Sequence, residues 1–211
     1  MFIESDDPIF KETVDRVSEG KLRLVPPYLA AKDLIRYAIN NIQTVGDGVD
    51  LGGQGQIRGI ELFGAKQAAL DGRGTPHDLV CVCVAMLRAA NIPARPVIGV
   101  QEGEKSGKKE FCTWAEFYLP DCGWIPFDPY VMRGKGIRTL DVKRAWPEFG
   151  SMKDLNERIP LSYHFIPAAT IESPQNPAVW GWDPRPGGTD TSEQAITIGI
   201  VSRGKGVDDP Q

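Results

Sequence analysis

The side chains best suited to chemistry lie in two segments of the chain, residues 72–95 and 111–129. The first contains His77, and the second contains Cys112 and Asp128. A thiol, an imidazole and a carboxylate can together transfer an acyl group, because the imidazole takes the proton of the thiol and the carboxylate orients the imidazole. These three residues are therefore the candidate catalytic residues.

The same two segments carry extended motifs, GRGTPHDLVCVCVAMLRAANIPAR over 72–95 and FCTWAEFYLPDCGWIPFDP over 111–129. Together they resemble the core of the transglutaminase-like superfamily, relatives of the papain-type cysteine peptidases. The family pattern runs roughly G-x-C-x-D, L-R-A-x-x-I-P-A-R, H-x-W-x-E-x-Y and G-W-x-P-x-D-P. Its spacing is kept without a gap, so placing Cys81 or Cys83 at the nucleophile position would break the other matches. The resemblance implies an α+β fold with a helix packed on an antiparallel sheet.

Two of the three catalytic positions of the family pattern hold other residues. The resemblance puts Pro76 at the position of the cysteine, Cys112 at that of the histidine and Asp128 on the orienting aspartate. In the family the thiol lies at a helix N-terminus, where the helix dipole and a neighbouring imidazole stabilise the thiolate. Proline has neither a nucleophilic atom nor a proton to transfer. We therefore expect no ordinary transglutaminase or cysteine peptidase activity.

Cys112 and His77 each have a structural and a functional interpretation. Cys112 is either a small apolar residue of a strand or a thiol facing the cleft. His77 is either a surface residue in the first helical turn or an inward-facing base, since it is rotated about 100° from Pro76 around the helix. If it faces inward, Cys112 and His77 would form a reversed pair, with the thiol on the strand and the base on the helix.

The framework residues of the motifs predict how the cleft is lined. On a strand, Cys112, Trp114, Glu116 and Tyr118 fall on one face, so Cys112 and Trp114 could line one groove. Trp114 and Pro76 are therefore the candidate ligand-binding residues. Arg88 and Arg95 are interpreted as structural residues that form ion pairs or bind carbonyl groups.

The two acidic motif residues also have structural interpretations. Asp78 matches an acidic position of the family pattern and could stabilise the helix N-terminus by its charge. Asp128 could cap a turn by bonding to neighbouring backbone, or act as an acid–base group together with His77.

Metal and nucleotide sites are poorly supported. His77 and Cys81 are four residues apart, a spacing that suits metal ligation, but only these two ligands are certain to be close. The glycine-rich stretch 45–59 lacks the GK[ST] ending of a phosphate loop and the GxGxxG order of a dinucleotide site, so we interpret it as a loop at the cleft rim. His164 could fold back as a substitute base, or be a surface residue. We expect no metal and no cofactor.

Composition narrows the class of protein and its partners. A chain of 211 residues with 41% hydrophobic residues is long enough for one globular domain. A net charge of −4 gives no basic footprint for nucleic acid. The acidic start MFIESDDPIF and the absence of a long apolar run argue against a signal peptide and a membrane span. Four cysteines without disulfide-framework spacing favour a reducing compartment, so we expect a cytoplasmic protein.

The pattern of apolar residues and of turn and capping residues predicts the elements that position these groups. The predicted helices are 28–42, 64–70 and 76–90, the last with Thr75 as N-cap, and the predicted strands are 96–100, 110–119 and 123–127. Residues 102–110 are predicted to form a solvated hairpin tip. We assign residues 1–149 to the core and 150–211, rich in proline and glycine, to a C-terminal extension that packs on the core, with one strand candidate at 195–201.

Two functions from different classes remain open at this point. In the first, the domain has kept the cleft and lost acyl transfer, and binds a peptide, an amide-bearing small molecule or a partner protein. In the second, it is a non-standard enzyme that uses Cys112 with His77 as a thiol hydrolase or acyltransferase, or His77 with Asp128 as an acid–base catalyst. In neither case are nucleic acid or membrane partners expected.

Overall fold

The computed structural model describes residues 2–51, 57–102, 109–150 and 158–165. They belong to one unit of the chain, Met1–Pro167, while a second unit, Ala168–Gln211, lies outside the described residues. Of the predicted extension, only 150 and 158–165 are described. The boundary at 149 therefore stays a prediction, and both the strand candidate 195–201 and most of the predicted hairpin tip lie outside the described residues.

Helices and strands have the following bounds. The α-helices are α1 (Pro8–Val17), α2 (Pro27–Asn41), α3 (Ala65–Asp71), α4 (Pro76–Ala89) and α5 (Pro129–Gly134). Short 3-10 helices occupy Leu22–Leu24 and Ile137–Thr139. The strands are β1 (Gln43–Thr44), β2 (Val49–Leu51), β3 (Ile57–Ile60), β4 (Arg73–Gly74), β5 (Ala94–Glu102), β6 (Lys109–Leu119), β7 (Gly123–Phe127) and β8 (Arg158–Ser162). None of the helices in the described ranges is long and apolar enough to cross a membrane.

The main sheet has the strand order β7-β6-β5-β8, and each neighbouring pair is antiparallel. With α4 packed against this sheet, the predicted α+β arrangement is confirmed. Strand β8, which sequence analysis did not predict, pairs with β5 at the edge of the sheet. It contains Pro160, and proline is tolerated on an edge strand because one side of that strand needs no ladder hydrogen bond.

Helix α4 lies at the centre of the core. Every residue from Pro76 to Leu87 is buried. A helix that is apolar all round must be covered on all sides, and here α1, α2 and α3 cover one side while the sheet covers the other. From the sheet, Ala115 and Phe117 of β6 belong to the same core. The start of α4 is therefore held in a fixed place between helices and sheet.

The glycine-rich stretch 45–59 departs from its interpretation as a loop. Its described parts include β2 and β3, which pair in antiparallel fashion. The alternation in VDL and IRGI gives two short strands enough β character to pair. The loop interpretation is therefore wrong for these two strands, while residues 52–56 lie outside the described residues.

A buried lysine fastens the segment after α5 to α2. Lys32 is 1% exposed, and its Nζ donates to the carbonyls of Val142 at 3.1 Å and Arg144 at 2.7 Å. Three aromatic rings surround the ammonium, those of Tyr28, Trp146 and Phe149. Burial lowers the pKa of Lys32, and the charge of Asp141 partly opposes this.

Candidate functional site

The start of α4 is fixed by a reciprocal cap. Thr75 is the N-cap, as predicted, and its Oγ1 accepts a hydrogen bond from the backbone N–H of Asp78 at 3.2 Å. In return Asp78 Oδ2 accepts from the Thr75 N–H at 2.9 Å. Pro76 is the first helical residue, where its missing N–H removes no helical bond. The position that the resemblance assigns to the nucleophile is thus a buried proline ring at a capped helix start.

Asp78 joins the helix start to the segment before α3. It is fully buried, and its Oδ1 accepts from the N–H groups of Phe63 and Gly64, each at 2.9 Å. Its Oδ2 also lies 3.0 Å from the hydroxyl of Thr75, whose single proton can go either to this oxygen or to the carbonyl of Glu61 at 3.1 Å. With three backbone N–H donors, this buried carboxylate has a structural role.

His77 faces inward, so its interpretation as a surface residue is wrong. It is 4% exposed, and its Nδ1 lies 2.8 Å from Thr113 Oγ1 on β6. Its Nε2 is buried and faces the backbone of Gly48 without a hydrogen bond of normal geometry among the described residues. Burial lowers the pKa of His77, outweighing the opposing effects of Asp78, the Gly48 backbone and Asp47.

Gly48 is required for this packing. Its φ is +71°, and a Cβ at this position would lie 2.5 Å from His77 Cδ2. Both its backbone conformation and the space available therefore favour glycine. The chain at Gly48 covers the imidazole from the side opposite Thr113.

Cys112 lies on the other face of β6 from the partner of His77. It packs with Val97 and Trp114, and its exposed fraction is 9%. The prediction that Cys112 and Trp114 share a face is confirmed. Because neighbouring strand residues point to opposite faces, Thr113 points toward α4 and Cys112 away from it. The geometry thus pairs the His77 imidazole with the Thr113 hydroxyl.

Asp128 is fully engaged by its surroundings. As the N-cap of α5, its Oδ1 accepts from the N–H groups of Tyr130 at 3.0 Å and Val131 at 2.9 Å. Its Oδ2 accepts from Arg158 Nη1 at 2.6 Å, and the side chains of this ion pair are 8% and 4% exposed. The guanidinium also lies 5.8 Å from the centre of the Trp114 ring. The interpretation of Asp128 as a residue that caps a turn is confirmed. Its carboxylate, which the resemblance assigns to orienting an imidazole, is bound instead by the guanidinium of Arg158.

Arg158 is one of the site residues that sequence analysis missed, together with Thr113 and Gly48. It belongs to none of the family motifs and lies 30 residues from its partner. One signal could have indicated it: a buried carboxylate needs a cation, and Asp128 has no histidine at the matching position. That argument requires a cation but does not say which one.

The remaining predicted residues have plain structural roles. Arg95 forms an ion pair with Glu116 at 2.8 Å, and Arg88 Nε donates to the carbonyl of Ala94 at 2.8 Å, which confirms their structural interpretation. His164 is exposed after β8.

Within the described ranges, no group of three or more histidine, cysteine or acidic side chains could hold a metal ion. Burial raises the pKa of Cys81 well above its ordinary value.

Comparison with known proteins gives the class of this domain. A central helix whose start faces an antiparallel sheet, with the motif residues at the helix start and on two adjacent strands, defines a papain-like α+β core. The profile of the transglutaminase-like superfamily matches residues 17–129, which is more than half of the chain. The chain belongs to this superfamily.

Two solved structures are similar to it over part of their length. One is a candidate cysteine protease from Cytophaga hutchinsonii, with 16% identity, a TM-score of 0.44 and coverage of 76% of this chain and 47% of that one. The other is a candidate protease from Parabacteroides distasonis, with 14% identity, a TM-score of 0.36 and coverage of 52% of this chain and 21% of that one. This chain thus spans less than half of either protein. Among curated proteins, none matches it significantly.

Proposed function

We propose that this transglutaminase-like domain does not transfer acyl groups through a thiol, and that it acts by binding a peptide, an amide-bearing ligand or a partner protein. Two features of the site carry the proposal. Pro76 stands at the first position of α4, where the family has its cysteine, and Arg158 forms an ion pair with Asp128, the carboxylate that would orient a histidine.

The first feature removes the nucleophile of the triad, and the second engages the carboxylate that would orient its histidine. A nucleophile at position 76 would gain from the helix dipole, but a proline ring has no atom that can attack a carbonyl carbon. A carboxylate that already accepts from two backbone N–H groups and a guanidinium is satisfied without an imidazole. Moving Arg158 to free Asp128 would leave a buried charge unpaired, which is costly.

The contacts of His77 also favour binding over a rearranged enzyme. A Cys112–His77 pair needs the imidazole on the Cys112 face of β6, whereas His77 Nδ1 meets Thr113 on the other face. An acid–base pair of His77 and Asp128 would need the two side chains to act on one substrate atom, whereas Asp128 is bonded to Arg158 and His77 to Thr113. The residues predicted to be catalytic are, moreover, all nearly buried: His77, Cys112 and Asp128 are at most 9% exposed.

Enzyme assays on the full chain test the proposal. We expect incorporation of a fluorescent amine into a glutamine-bearing protein to stay at background, and hydrolysis of thioester and peptide substrates likewise. The variants Cys112→Ala and His77→Asn should give the same background as the wild type. Turnover by the wild type that disappears in Cys112→Ala would show that the domain is a rearranged thiol enzyme.

A gain-of-chemistry variant gives a second test. In Pro76→Cys with Cys112→His, the introduced thiol lies at the helix start, whereas the introduced imidazole lies on the face of β6 that points away from α4. We therefore expect the pKa of that thiol to be lowered by the helix dipole alone, with no further lowering from Cys112→His. Alkylation rate against pH, compared between Pro76→Cys and the double variant, measures this. A thiol pKa that falls further in the double variant would show that the two positions face each other and that the family's chemistry can be restored.

A further inference from the structure

An open groove lies at the far end of α4 from Pro76. Its volume is about 810 Å³, which lies within the usual range of ligand sites. It is lined by residues 22, 23, 25, 27 and 30, by the turn 90–93 after α4, and by 118–120 at and just after the end of β6. Since a helix rises 1.5 Å per residue, the 14 residues of α4 place this groove about 20 Å from the position assigned to the nucleophile.

The floor of the groove is preformed. After α4, Ile92 N–H donates to the carbonyl of Leu87 at 2.9 Å, and the carbonyl of Pro93 accepts from Tyr118 N–H at 2.8 Å. The turn is thereby fixed both to the helix and to β6. A groove with a bonded floor loses little conformational entropy when it is occupied, which favours binding.

The walls of the groove are mainly apolar. Val25 and Ala30 line one side, and Ile92 and Leu119 line the other. At the rim, the ring of Tyr118 is 37% exposed. An exposed aromatic ring beside an apolar trough suits aliphatic and proline side chains of an extended chain.

One charge stands in this apolar lining, that of Arg23. The other lining residues are uncharged. Within the described part of the chain, Arg23 has no ion pair, whereas Arg36, Arg95 and Arg158 are each paired with a carboxylate. A guanidinium at the edge of an apolar groove attracts a carboxylate, which it can bind with two parallel hydrogen bonds.

The geometry points to this groove as the docking site for an extended peptide of a partner, in which apolar side chains lie beside an Asp or Glu carboxylate. This inference rests on the proposed function, because it names the surface and the ligand class of a binding domain. It moves the binding site away from the inherited cleft, where Pro76, Cys112 and Asp128 are buried.

Selection from a displayed library of random linear peptides on the immobilised full chain tests the inference. We expect enrichment of peptides that carry Asp or Glu next to Leu, Ile, Val or Pro. In Arg23→Glu the affinity of a selected peptide should fall about tenfold or more, because an attractive charge pair becomes repulsive. Arg23→Lys keeps the charge but loses the second parallel hydrogen bond, so its affinity should lie between those of the wild type and Arg23→Glu.

Arg138→Glu is the matched control. Arg138, like Arg23, is the exposed middle residue of a three-residue 3-10 helix, but it does not line the groove. The Arg138→Glu variant changes the net charge by the same amount as Arg23→Glu and should leave peptide binding unchanged.

Three results would overturn the inference: no enrichment over an empty support, selected peptides without acidic residues, or equal affinity for wild type and Arg23→Glu. Self-association in sedimentation that depends on Arg23 would likewise show that a second copy, and not a peptide, occupies the groove. Each of these leaves the proposed loss of thiol chemistry standing, since that is decided by the acyl-transfer assays.

Discussion

His77 illustrates how one buried side chain can make the stability of the domain depend on pH. Its pKa in the folded protein lies below the ordinary value of 6.5, mainly because the ring is buried. The unfolded chain therefore binds a proton at a pH where the folded protein does not. The contribution of the neutral His77 to the free energy of unfolding is fully present above about pH 6.5, and it is lost as the pH falls through the folded-state pKa.

We expect the His77→Asn variant to lose less stability on acidification than the wild type. Below about pH 6.5, the wild type should lose stability more steeply than the variant, by at most about 1.4 kcal/mol per pH unit, since only the wild type titrates at this position. Urea unfolding midpoints at several pH values measure this. His164→Asn, at an exposed site, should follow the wild type, and equal pH slopes for wild type and His77→Asn would contradict the assignment.

The Arg158–Asp128 pair is expected to be strongly coupled. Either Arg158→Met or Asp128→Asn leaves one buried group without its partner, so each should destabilise the protein by about 3 kcal/mol. The double variant should cost clearly less than the sum of the two. The matched control is Arg36→Met, which breaks a half-exposed ion pair with Asp33 and a hydrogen bond to the carbonyl of Leu140, and should cost about 1 kcal/mol. Additive effects at 128 and 158 would show that the ion pair contributes nothing.

At the scale of elements, the sequence predicted those whose signals are local. The helix 76–90 and the strands 110–119 and 123–127 agree with α4, β6 and β7 to within one or two residues. Their signals, Thr75 before Pro76 and the alternation along β6, act within a few residues. Local signals are also why the cap of α4 could be predicted.

What the sequence did not predict depends on contacts between distant residues. Strand β8 is a short edge strand containing a proline, and only its pairing with β5 makes it a strand. The partner of His77 could not be predicted either, because a rotation of about 100° around the helix leaves several strand residues within reach. The structure supplies Thr113 and Gly48, neither of which is a family motif residue.

Residues 141–149 are attached to α2 by Lys32, and removing this side chain tests the attachment. In Lys32→Met the carbonyls of Val142 and Arg144 lose a donor, and the cation–π contacts are removed. We expect the free energy of unfolding to fall by about 1 to 3 kcal/mol. Hydrogen exchange of the amides in 141–150 should become faster than in the wild type, and by a larger factor than that of the amides in α4. Lys66→Met, which removes an exposed ion pair with Asp7, is the control and should leave exchange in 141–150 unchanged. Unchanged exchange in Lys32→Met would show that the lysine does not fasten this segment.

For the whole molecule, the cysteines report whether the core is closed. Cys81 and Cys83 are fully buried, and burial raises the pKa of both thiols, whereas Cys122 is exposed. With Ellman's reagent, we expect Cys122 to react quickly in the native protein, and Cys81 and Cys83 to react only on unfolding. Cys122→Ser should abolish the fast phase. Rapid labelling of Cys81 or Cys83 under native conditions would mean that the core around α4 opens frequently.

The ion pair of Arg158 with Asp128 also sets an order of events while the chain is being synthesised. Asp128 is made 30 residues before its partner, so at about 5 to 20 residues per second it waits about 2 to 6 s for the guanidinium. During that interval β5, β6 and β7 are complete, but burying the carboxylate would leave a charge without a partner. The end of the nascent sheet should therefore stay hydrated until β8 arrives and closes it.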